Sequence, residues 1–175
     1  MNARAEHDAP FWCEENAWHL CVEPRIGSDA LVVLISNPWH TVALWHQRAA
    51  SRRDAPVVWD YHVVVVSRDA RVWDLDTRLE FPIAFDVYVG RTFREGVAAR
   101  LQPRFRAIDA AVYRSSFASD RRHMRDEDGG WQRPPPPWPA IGDGHVLDAL
   151  LDPDDESFGP WLDARTLRAQ VSGAP

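Results

Sequence analysis

One cysteine and one histidine in this sequence, Cys13 and His62, could together perform nucleophilic catalysis. Such catalysis needs a thiolate, a base that generates it and a third group that orients the base. A free thiol, with a pKa of about 8.5, is mostly protonated at neutral pH, but a helix N-terminus and a neighbouring imidazolium both favour the thiolate. Cys13 begins a segment that we predict to be helical, whereas the adjacent Glu14 would oppose a thiolate. The imidazolium must therefore outweigh that carboxylate if Cys13 is the nucleophile.

The group that orients His62 would be one of two aspartates on the second arm of a predicted β-hairpin. In an antiparallel pair, a loop centred on Arg68 places Asp74 directly opposite His62, within reach of the imidazole. A loop centred on Asp69 places Asp76 there instead, and a loop of even length would turn Asp74 to the other face. The spacing thus offers a His–Asp pair but does not choose between the two aspartates.

The elements that must position these residues follow from hydrophobic patterning. The apolar stripe of residues 13–21 indicates a helix, and the continuous apolar run Ala30–Ser36 indicates a buried central strand. The segments Val57–Val66 and Arg71–Asp76, joined by a short polar stretch, form the predicted hairpin. The other predicted elements are a strand over Thr41–Trp45, a helix over Phe81–Val89, a strand over Phe105–Tyr113, and short helices over His145–Leu151 and Leu162–Gln170. One helix ahead of a largely antiparallel sheet indicates the α+β class.

Composition limits the kinds of protein that this chain can be. Its 175 residues suffice for one domain, which we predict over 1–175 with residues 1–10 frayed. The net charge of −6 argues against a nucleic-acid partner, and no apolar run reaches membrane-spanning length. The first residues lack the apolar core of a secretion signal, and two cysteines are too few for a disulfide framework, so we expect a cytoplasmic location. All 20 basic residues are arginine, which excludes a Schiff-base lysine.

Some of these residues also have structural or non-catalytic interpretations. Cys21 falls on the apolar stripe of the first helix and is expected to be a buried, inert thiol. A zinc site that includes both Cys13 and Cys21 is disfavoured, because their spacing is longer than that of structural zinc motifs. We therefore expect no metal and no cofactor. The polyproline run at 134–137 is typical of ligands for aromatic-lined grooves, so a non-enzymatic interaction module is one alternative.

Several short motifs carry a resemblance to a known family. They are Cys-Glu-Glu-Asn-Ala-Trp at 13–18, Ile-Ser-Asn at 35–37, Trp-Asp-Tyr-His-Val-Val at 59–64, Asp-Leu-Asp-Thr at 74–77, Phe-Ala-Ser-Asp-Arg at 117–121 with His123 and Met124, and Pro-Pro-Pro-Pro-Trp-Pro at 134–139. Taken in order, from Cys13 to about Ile141, the chain resembles the protein N-terminal glutamine amidohydrolases. Several unrelated motifs in the right order are a far more specific signal than any one of them.

The resemblance implies a fold similar to that of the papain-like and transglutaminase-like thiol enzymes, an antiparallel sheet flanked by helices with the catalytic cysteine at a helix N-terminus. It implies a catalytic triad of Cys13, His62 and Asp74, and so decides between the two aspartates. The implied reaction hydrolyses the side-chain amide of an N-terminal glutamine, through a thioester, to N-terminal glutamate and ammonia. The implied substrates are proteins or peptides that begin with glutamine, and the new terminus would lead to arginylation and degradation. A monomer would suffice, because one chain supplies the site.

Selectivity for a chain terminus requires a group that recognises the α-ammonium. A carboxylate near the catalytic residues would serve, and the sequence does not rank the candidates, which are Asp60, Glu14, Asp76 and Asp120. Such a polar site rejects analogues that lack its partner far better than an apolar pocket rejects a missing methylene. The backbone N–H of Cys13 would be the first donor of an oxyanion hole.

Two further interpretations follow from the family pattern. Because the polyproline run lies inside that pattern, it is better interpreted as a rigid wall packed by Trp131 and Trp138 than as an exposed ligand. The enzymatic alternative is another thiol enzyme of acyl transfer, a transglutaminase or a cysteine protease. It would cross-link an amine to glutamine or cleave the backbone.

Overall fold

An antiparallel β-sheet forms the centre of the computed structural model, which describes residues 7–173. The strands are β1 (Leu31–Ser36), β2 (Val42–Leu44), β3 (Val57–Trp59), β4 (His62–Val66), β5 (Arg71–Trp73), β6 (Ile83–Ala84) and β7 (Arg104–Asp109). Five of them form the central sheet, in the order β6–β5–β4–β1–β7. β2 and β3 pair with each other in a separate two-stranded sheet.

Helices flank the central sheet on both of its faces. From residue 13 onward they are α1 (Cys13–Leu20), α2 (Phe85–Thr92), α3 (Ala110–Ser116), α4 (Leu147–Leu151) and α5 (Ala164–Ser172), with 3₁₀ turns at Ala99–Leu101 and Arg122–Met124. Within residues 7–173, no helix has the length and apolar character needed to cross a bilayer. The α+β class, with an antiparallel sheet between helices, is as the sequence predicts.

The continuous apolar character of β1 is explained by its place in the middle of the sheet. β1 pairs with β4 on one side and with β7 on the other. Val32 and Leu34 pack into a core shared with α1, α3 and α4, whereas Val33 and Ile35 pack into a second core shared with α2 and α5. Because successive side chains of a strand point to opposite faces, a strand between two helical layers must be apolar throughout. The predicted buried central strand is confirmed.

The predicted hairpin differs from the structure in its first arm and in its register. The segment Val57–Val66 breaks at Asp60, so that β3 pairs with β2 and only β4 continues into the hairpin. In the hairpin, Val65 lies opposite Trp73 and Val66 opposite Val72. This is the register centred on Asp69, and the register centred on Arg68 is wrong.

Two other segments change conformation where the sequence predicts a single element. The predicted strand Phe105–Tyr113 is a strand only as far as Asp109, whose carboxylate then accepts hydrogen bonds from the first backbone N–H groups of α3. An aspartate at this position caps a helix and ends the strand. The predicted helix Phe81–Val89 begins at Phe85, because β6 precedes it.

The N-terminal segment is predicted to be frayed over residues 1–10, of which residues 1–6 lie outside the described part of the chain. Among residues 7–10, Ala9 is held by two hydrogen bonds. Ala9 is buried, its backbone N–H donates to Asn16 Oδ1 at 3.0 Å, and its carbonyl accepts from Asn16 Nδ2 at 2.9 Å. These contacts hold the segment against α1.

A buried arginine joins the sheet to the segment that follows α4. The Arg106 side chain, on β7, is fully buried and donates to the backbone carbonyl oxygens of Ala149, Leu150, Asp152 and Asp155 at 2.6–3.2 Å. Those acceptors offset the loss of hydration of the guanidinium. Arg106 therefore fixes where α4 lies relative to the sheet.

Replacing Arg106 with Leu should destabilise the protein by about 3 kcal/mol, because several buried carbonyl oxygens would lose a charged donor at once. Urea unfolding would measure the change. Arg104→Leu is the control, because exposed Arg104 donates to a single carbonyl, of Trp161, and should cost about 1 kcal/mol or less. Equal losses in the two variants would contradict this role of Arg106.

Candidate active site

A cavity of about 460 Å³ lies beside the start of α1. Cys13, the first residue of α1, and His62, the first residue of β4, both line it. The other lining residues come from the segment before α1, the β1–β2 turn, the end of β3 with the β3–β4 link, the turn after β5, the 3₁₀ turn at Arg122–Met124 and the loop after it, and α4. They are Phe11, His40, Trp59, Asp60, Tyr61, Asp76, His123, Met124, Gln132, Arg133, Leu147, Asp148 and Leu151. Polar and ionisable groups from distant parts of the sequence therefore meet here, as is common in active sites.

His62 and Asp74 form a buried pair at the inner end of this site. His62 Nε2 lies 3.0 Å from Asp74 Oδ1, and both side chains are almost fully buried. Asp74 Oδ2 accepts hydrogen bonds from Tyr88 Oη at 2.9 Å and from Gln47 Nε2 at 3.2 Å. The backbone N–H of Asp76 donates to Asp74 Oδ1 at 2.9 Å. The carboxylate is thus held in one orientation.

The hairpin register alone would have selected the other aspartate. With the loop centred on Asp69, continued pairing would place Asp76 opposite His62. The strand pairing ends at Trp73, however, and the turn that follows brings Asp74 to the imidazole. The structure therefore brings His62 and Asp74 together through a turn and not through a cross-strand pair.

The charges of this pair stabilise each other. Burial acts most strongly on His62 and lowers its pKa, but the nearby carboxylates, first Asp74 and then Asp76, outweigh it, so the pKa of His62 is raised. Burial likewise raises the pKa of Asp74, but the charge of His62 and the hydrogen bonds from His62, Gln47 and Tyr88 lower it below its usual value. The pair therefore favours an imidazolium beside a carboxylate.

Cys13 lies in a less favourable electrostatic environment than its position on the helix suggests. Burial, followed by the negative charges of Glu14 and Asp76, raises the pKa of the Cys13 thiol well above its usual value. Its sulfur lies 3.6 Å from Glu14 Oε2. A backbone hydrogen bond from Val63 acts in the opposite direction and lowers the pKa. Burial and several carboxylates therefore act together against the thiolate, and Glu14 is one of those carboxylates.

Two of the four candidates for α-ammonium recognition line the cavity, namely Asp60 and Asp76. Glu14 is fully buried behind the cavity wall, where it accepts a hydrogen bond from Tyr61 Oη at 3.1 Å. Asp120 lies outside the lining and forms an ion pair with Arg122. The structure therefore does not bring Asp120 to the site.

Some residues of the site have no local signal in the sequence. Tyr88 and Gln47 reach Asp74 from α2 and from the turn after β2, and nothing in their own segments indicates a partner. His123 lines the cavity, and its Nε2 lies 3.2 Å from Glu14 Oε1. His123 belongs to one of the family motifs, which was the available signal for it.

Hydrogen bonds join both ends of the polyproline segment to the start of α1. Trp12 Nε1 donates to the carbonyl of Pro134 at 2.8 Å, and Trp138 Nε1 donates to Glu15 Oε2 at 2.7 Å. Arg121 makes two hydrogen bonds of 2.8 Å to the fully buried Glu15 carboxylate. Pro134, Pro135 and Pro137 are themselves exposed, and none of the four prolines lines the cavity. The interpretation of the segment as a rigid wall stays a prediction.

Three residues at the inner end of the cavity could act as ligands of a metal ion. Ligand atoms of His62, Asp74 and Asp76 lie within 4.8 Å of one another, a separation compatible with a metal ion. In this arrangement, however, His62 Nε2 already shares a hydrogen with Asp74. A metal on that nitrogen would have to break the pair.

The sequence of this chain matches a known protein family over most of its length. The family model described as N-terminal glutamine amidase matches residues 8–171. The chain belongs to the N-terminal glutamine amidase family. The protein N-terminal glutamine amidohydrolase of Arabidopsis thaliana is 38% identical to it over 98% of this chain and 86% of the relative. Proteins of the same name from Drosophila melanogaster and Drosophila virilis are 44% identical over 81% of this chain and 74% of their own length.

Membership of the N-terminal glutamine amidase family confirms the resemblance drawn from the motifs. The matched range contains the cysteine at the start of α1, the buried His–Asp pair and the polyproline segment. The cavity described above therefore lies within the part of the chain that defines the N-terminal glutamine amidase family.

Replacing Asp74 with Asn should move the pKa of His62 from above its ordinary value to below it, because burial then acts against the charged imidazole with its strongest opponent gone. An NMR titration of the imidazole resonances would measure the shift. Asp60→Asn is the control, since the carboxylates that chiefly raise the pKa of His62 are Asp74, Asp76 and Glu14. An unchanged titration in the Asp74 variant would contradict this account of the pair.

Proposed function

We propose that this protein hydrolyses the side-chain amide of an N-terminal glutamine in proteins or peptides, leaving N-terminal glutamate and releasing ammonia. The family match and the names of the relatives support this substrate. The observation that carries the chemistry is the buried His62–Asp74 pair, which opens onto one cavity together with Cys13. A thiol, a base and an orienting carboxylate are the three parts that thiol catalysis requires.

In the proposed first half-reaction, Cys13 is the nucleophile. The neutral form of the His62 ring takes the proton of the thiol and becomes the imidazolium that Asp74 stabilises, and the sulfur attacks the γ-carboxamide carbon, whose π electrons move onto the oxygen. When this tetrahedral intermediate collapses, the C–N bond breaks, and His62 returns the proton to the leaving nitrogen. Ammonia departs, and the glutamyl group remains as a thioester on the sulfur.

In the second half-reaction, water replaces ammonia. Neutral His62 takes a proton from the water as its oxygen attacks the thioester carbon. The C–S bond then breaks, the sulfur leaves as a thiolate that recovers the proton, and the γ-carboxylic acid ionises. Asp74 keeps its charge throughout and holds the ring through Nε2, which leaves Nδ1 to exchange protons with the sulfur and with the substrate.

The backbone at the start of α1 supplies the proposed oxyanion donor. The first N–H groups of a helix have no acceptor within the helix, and Trp12 provides no side-chain cap here. The N–H of Cys13 is therefore suited to bind the oxygen that becomes negative in each tetrahedral intermediate. Such a donor typically contributes about 3–4 kcal/mol to the reaction.

The architecture supports a relation to the papain-like and transglutaminase-like thiol enzymes. In our proposal the catalytic cysteine sits at the N-terminus of α1, which packs on the antiparallel sheet through Ala17 and Leu20. The base begins β4, and its carboxylate follows β5. One chain supplies all three groups, so residues 1–175 act as a single catalytic domain and the protein works as a monomer.

A peptide that begins with glutamine should gain the mass that accompanies conversion of an amide to an acid, as followed by mass spectrometry. Cys13→Ala should abolish this conversion, whereas Cys21→Ser should retain it, because Cys21 lies away from the cavity. The matched peptides with internal glutamine or with N-terminal asparagine should stay unchanged. Backbone cleavage or amine cross-linking would instead identify a protease or a transglutaminase, and activity that survives Cys13→Ala would end the proposal.

Iodoacetamide should alkylate Cys13 at a rate that rises with pH, because the raised pKa of the buried thiol keeps it protonated at low pH. His62→Ala should shift this rise to higher pH, since the thiolate would lose its neighbouring cation. Cys21, whose pKa burial raises to about 12, should react slowly at neutral pH. The Cys21→Ser background isolates Cys13, and identical profiles with and without His62 would refute the thiol–imidazole pair.

A further inference from the structure

One carboxylate of the cavity has no partner in the described chain. Asp76 is 7% exposed and lines the cavity with Cys13 and His62. Across residues 7–173, neither of its carboxylate oxygens accepts a hydrogen bond or forms an ion pair within salt-bridge distance. Buried charges are normally paired, because the loss of hydration is otherwise uncompensated. An unpaired, buried carboxylate at the wall of a cavity points to a cationic or hydrogen-bonding ligand.

The backbone holds this carboxylate in place. The N–H of Asp76 donates to Asp74 Oδ1 at 2.9 Å, and its carbonyl accepts from the N–H of Arg48 at 2.7 Å. A carboxylate oxygen of Asp76 lies within 4.8 Å of the polar atoms of His62 and Asp74. The group is therefore fixed next to the proposed base.

The other acidic candidates lack one of these properties. Glu14 is buried, but Tyr61 Oη already donates to it and it does not line the cavity. Asp60 lines the cavity, but it is exposed and its Oδ1 accepts from the Tyr61 backbone at 3.0 Å. Asp120 is paired with Arg122 outside the lining. Asp76 combines burial, a place in the cavity wall and the lack of a partner.

We propose that the Asp76 carboxylate binds the α-ammonium group of the N-terminal glutamine, an inference that rests on the proposed function. Four bonds separate the α-nitrogen of glutamine from its γ-carboxamide carbon, a reach of at most about 5 Å. A carboxylate that shares a wall with the nucleophile can therefore hold the amine while the carboxamide meets the sulfur. An internal glutamine has no ammonium to offer and would leave Asp76 buried and unpaired.

The charges around Asp76 favour such a ligand. Burial is the main influence on Asp76 and raises its pKa to about 6; His62 and Arg48 oppose that rise, whereas Asp74 and Asp8 add to it. A cation at Asp76 would favour its ionised form, as a neighbouring positive charge does for any carboxylate.

The same ligand would act on the nucleophile. The negative charge of Asp76 is among those that raise the pKa of Cys13. An ammonium bound at Asp76 offsets this charge, so the thiolate forms more readily once a chain terminus occupies the cavity. Recognition of the terminus and activation of the sulfur are thereby coupled through one carboxylate.

The test compares two substrates that differ only at the α-amine. One is a peptide beginning with glutamine, and the other carries the same γ-carboxamide on a glutaramic acyl group, which has no amine. The wild-type protein should favour the first by about 10⁴-fold in kcat/KM, the discrimination expected of a buried polar contact. In Asp76→Asn this preference should fall below about tenfold. Asp60→Asn, the matched control, should keep the wild-type preference.

A second readout does not depend on turnover. In the Cys21→Ser background, a peptide that begins with alanine, which brings the α-ammonium without a side-chain carboxylate, should accelerate alkylation of Cys13 by iodoacetamide several-fold. Asp76→Asn should show a faster basal alkylation and no such acceleration, and Asp76→Ser should behave alike. Circular dichroism would establish that each variant is folded.

The outcomes separate the two proposals. An Asp76→Asn protein that loses the same factor on both substrates, or that still responds to the alanine peptide, would overturn the role of Asp76 and leave the proposed function intact. A wild-type protein that does not convert the glutamine peptide would overturn the proposed function, and this inference with it.

Discussion

The structure around the cavity depends on one buried interaction, between the imidazole of His62 and the carboxylate of Asp74. Removing two such groups from water is costly, and their mutual attraction offsets the cost only when their remaining hydrogen-bonding capacity is also satisfied. Tyr88 and Gln47 supply donors to the second carboxylate oxygen, and the backbone of Asp76 supplies one to the first. Helix α2, the turn after β2 and the turn after β5 must therefore be in place before the imidazole has a fixed orientation.

The cavity also contains an electrostatic conflict. A thiol enzyme is expected to stabilise its thiolate, yet Glu14, Asp60 and Asp76 surround Cys13 with negative charge. The negative charge around Cys13 has an explanation if the ligand of the cavity is positively charged. Of these carboxylates, Asp76 both disfavours the thiolate and, in our proposal, binds an ammonium group. Selectivity for a chain terminus and control of the nucleophile can then arise from the same charge.

The sequence allowed the local parts of this arrangement to be predicted, and the parts that depend on distant contacts could not be. The apolar run of β1 and the stripe of α1 are local signals, and both elements lie where they were expected. The break at Asp60 arises because β3 pairs with β2, a partner that hydrophobic alternation does not reveal. The contacts of Tyr88 and Gln47 with Asp74 depend on tertiary packing. Selection of Asp74 came from the family motifs, because the true register would have favoured Asp76.

The hydrogen bonds that join the start of α1 to residues 121–138 have a consequence for synthesis of the protein on the ribosome. Trp12 and Glu15 find their hydrogen-bond partners at Pro134, Arg121 and Trp138, more than 100 residues later in the chain. Helix α1 is synthesised before these partners and cannot complete its surroundings until the segment at 121–138 has followed. A nascent chain therefore has an incomplete cavity until that segment has been made.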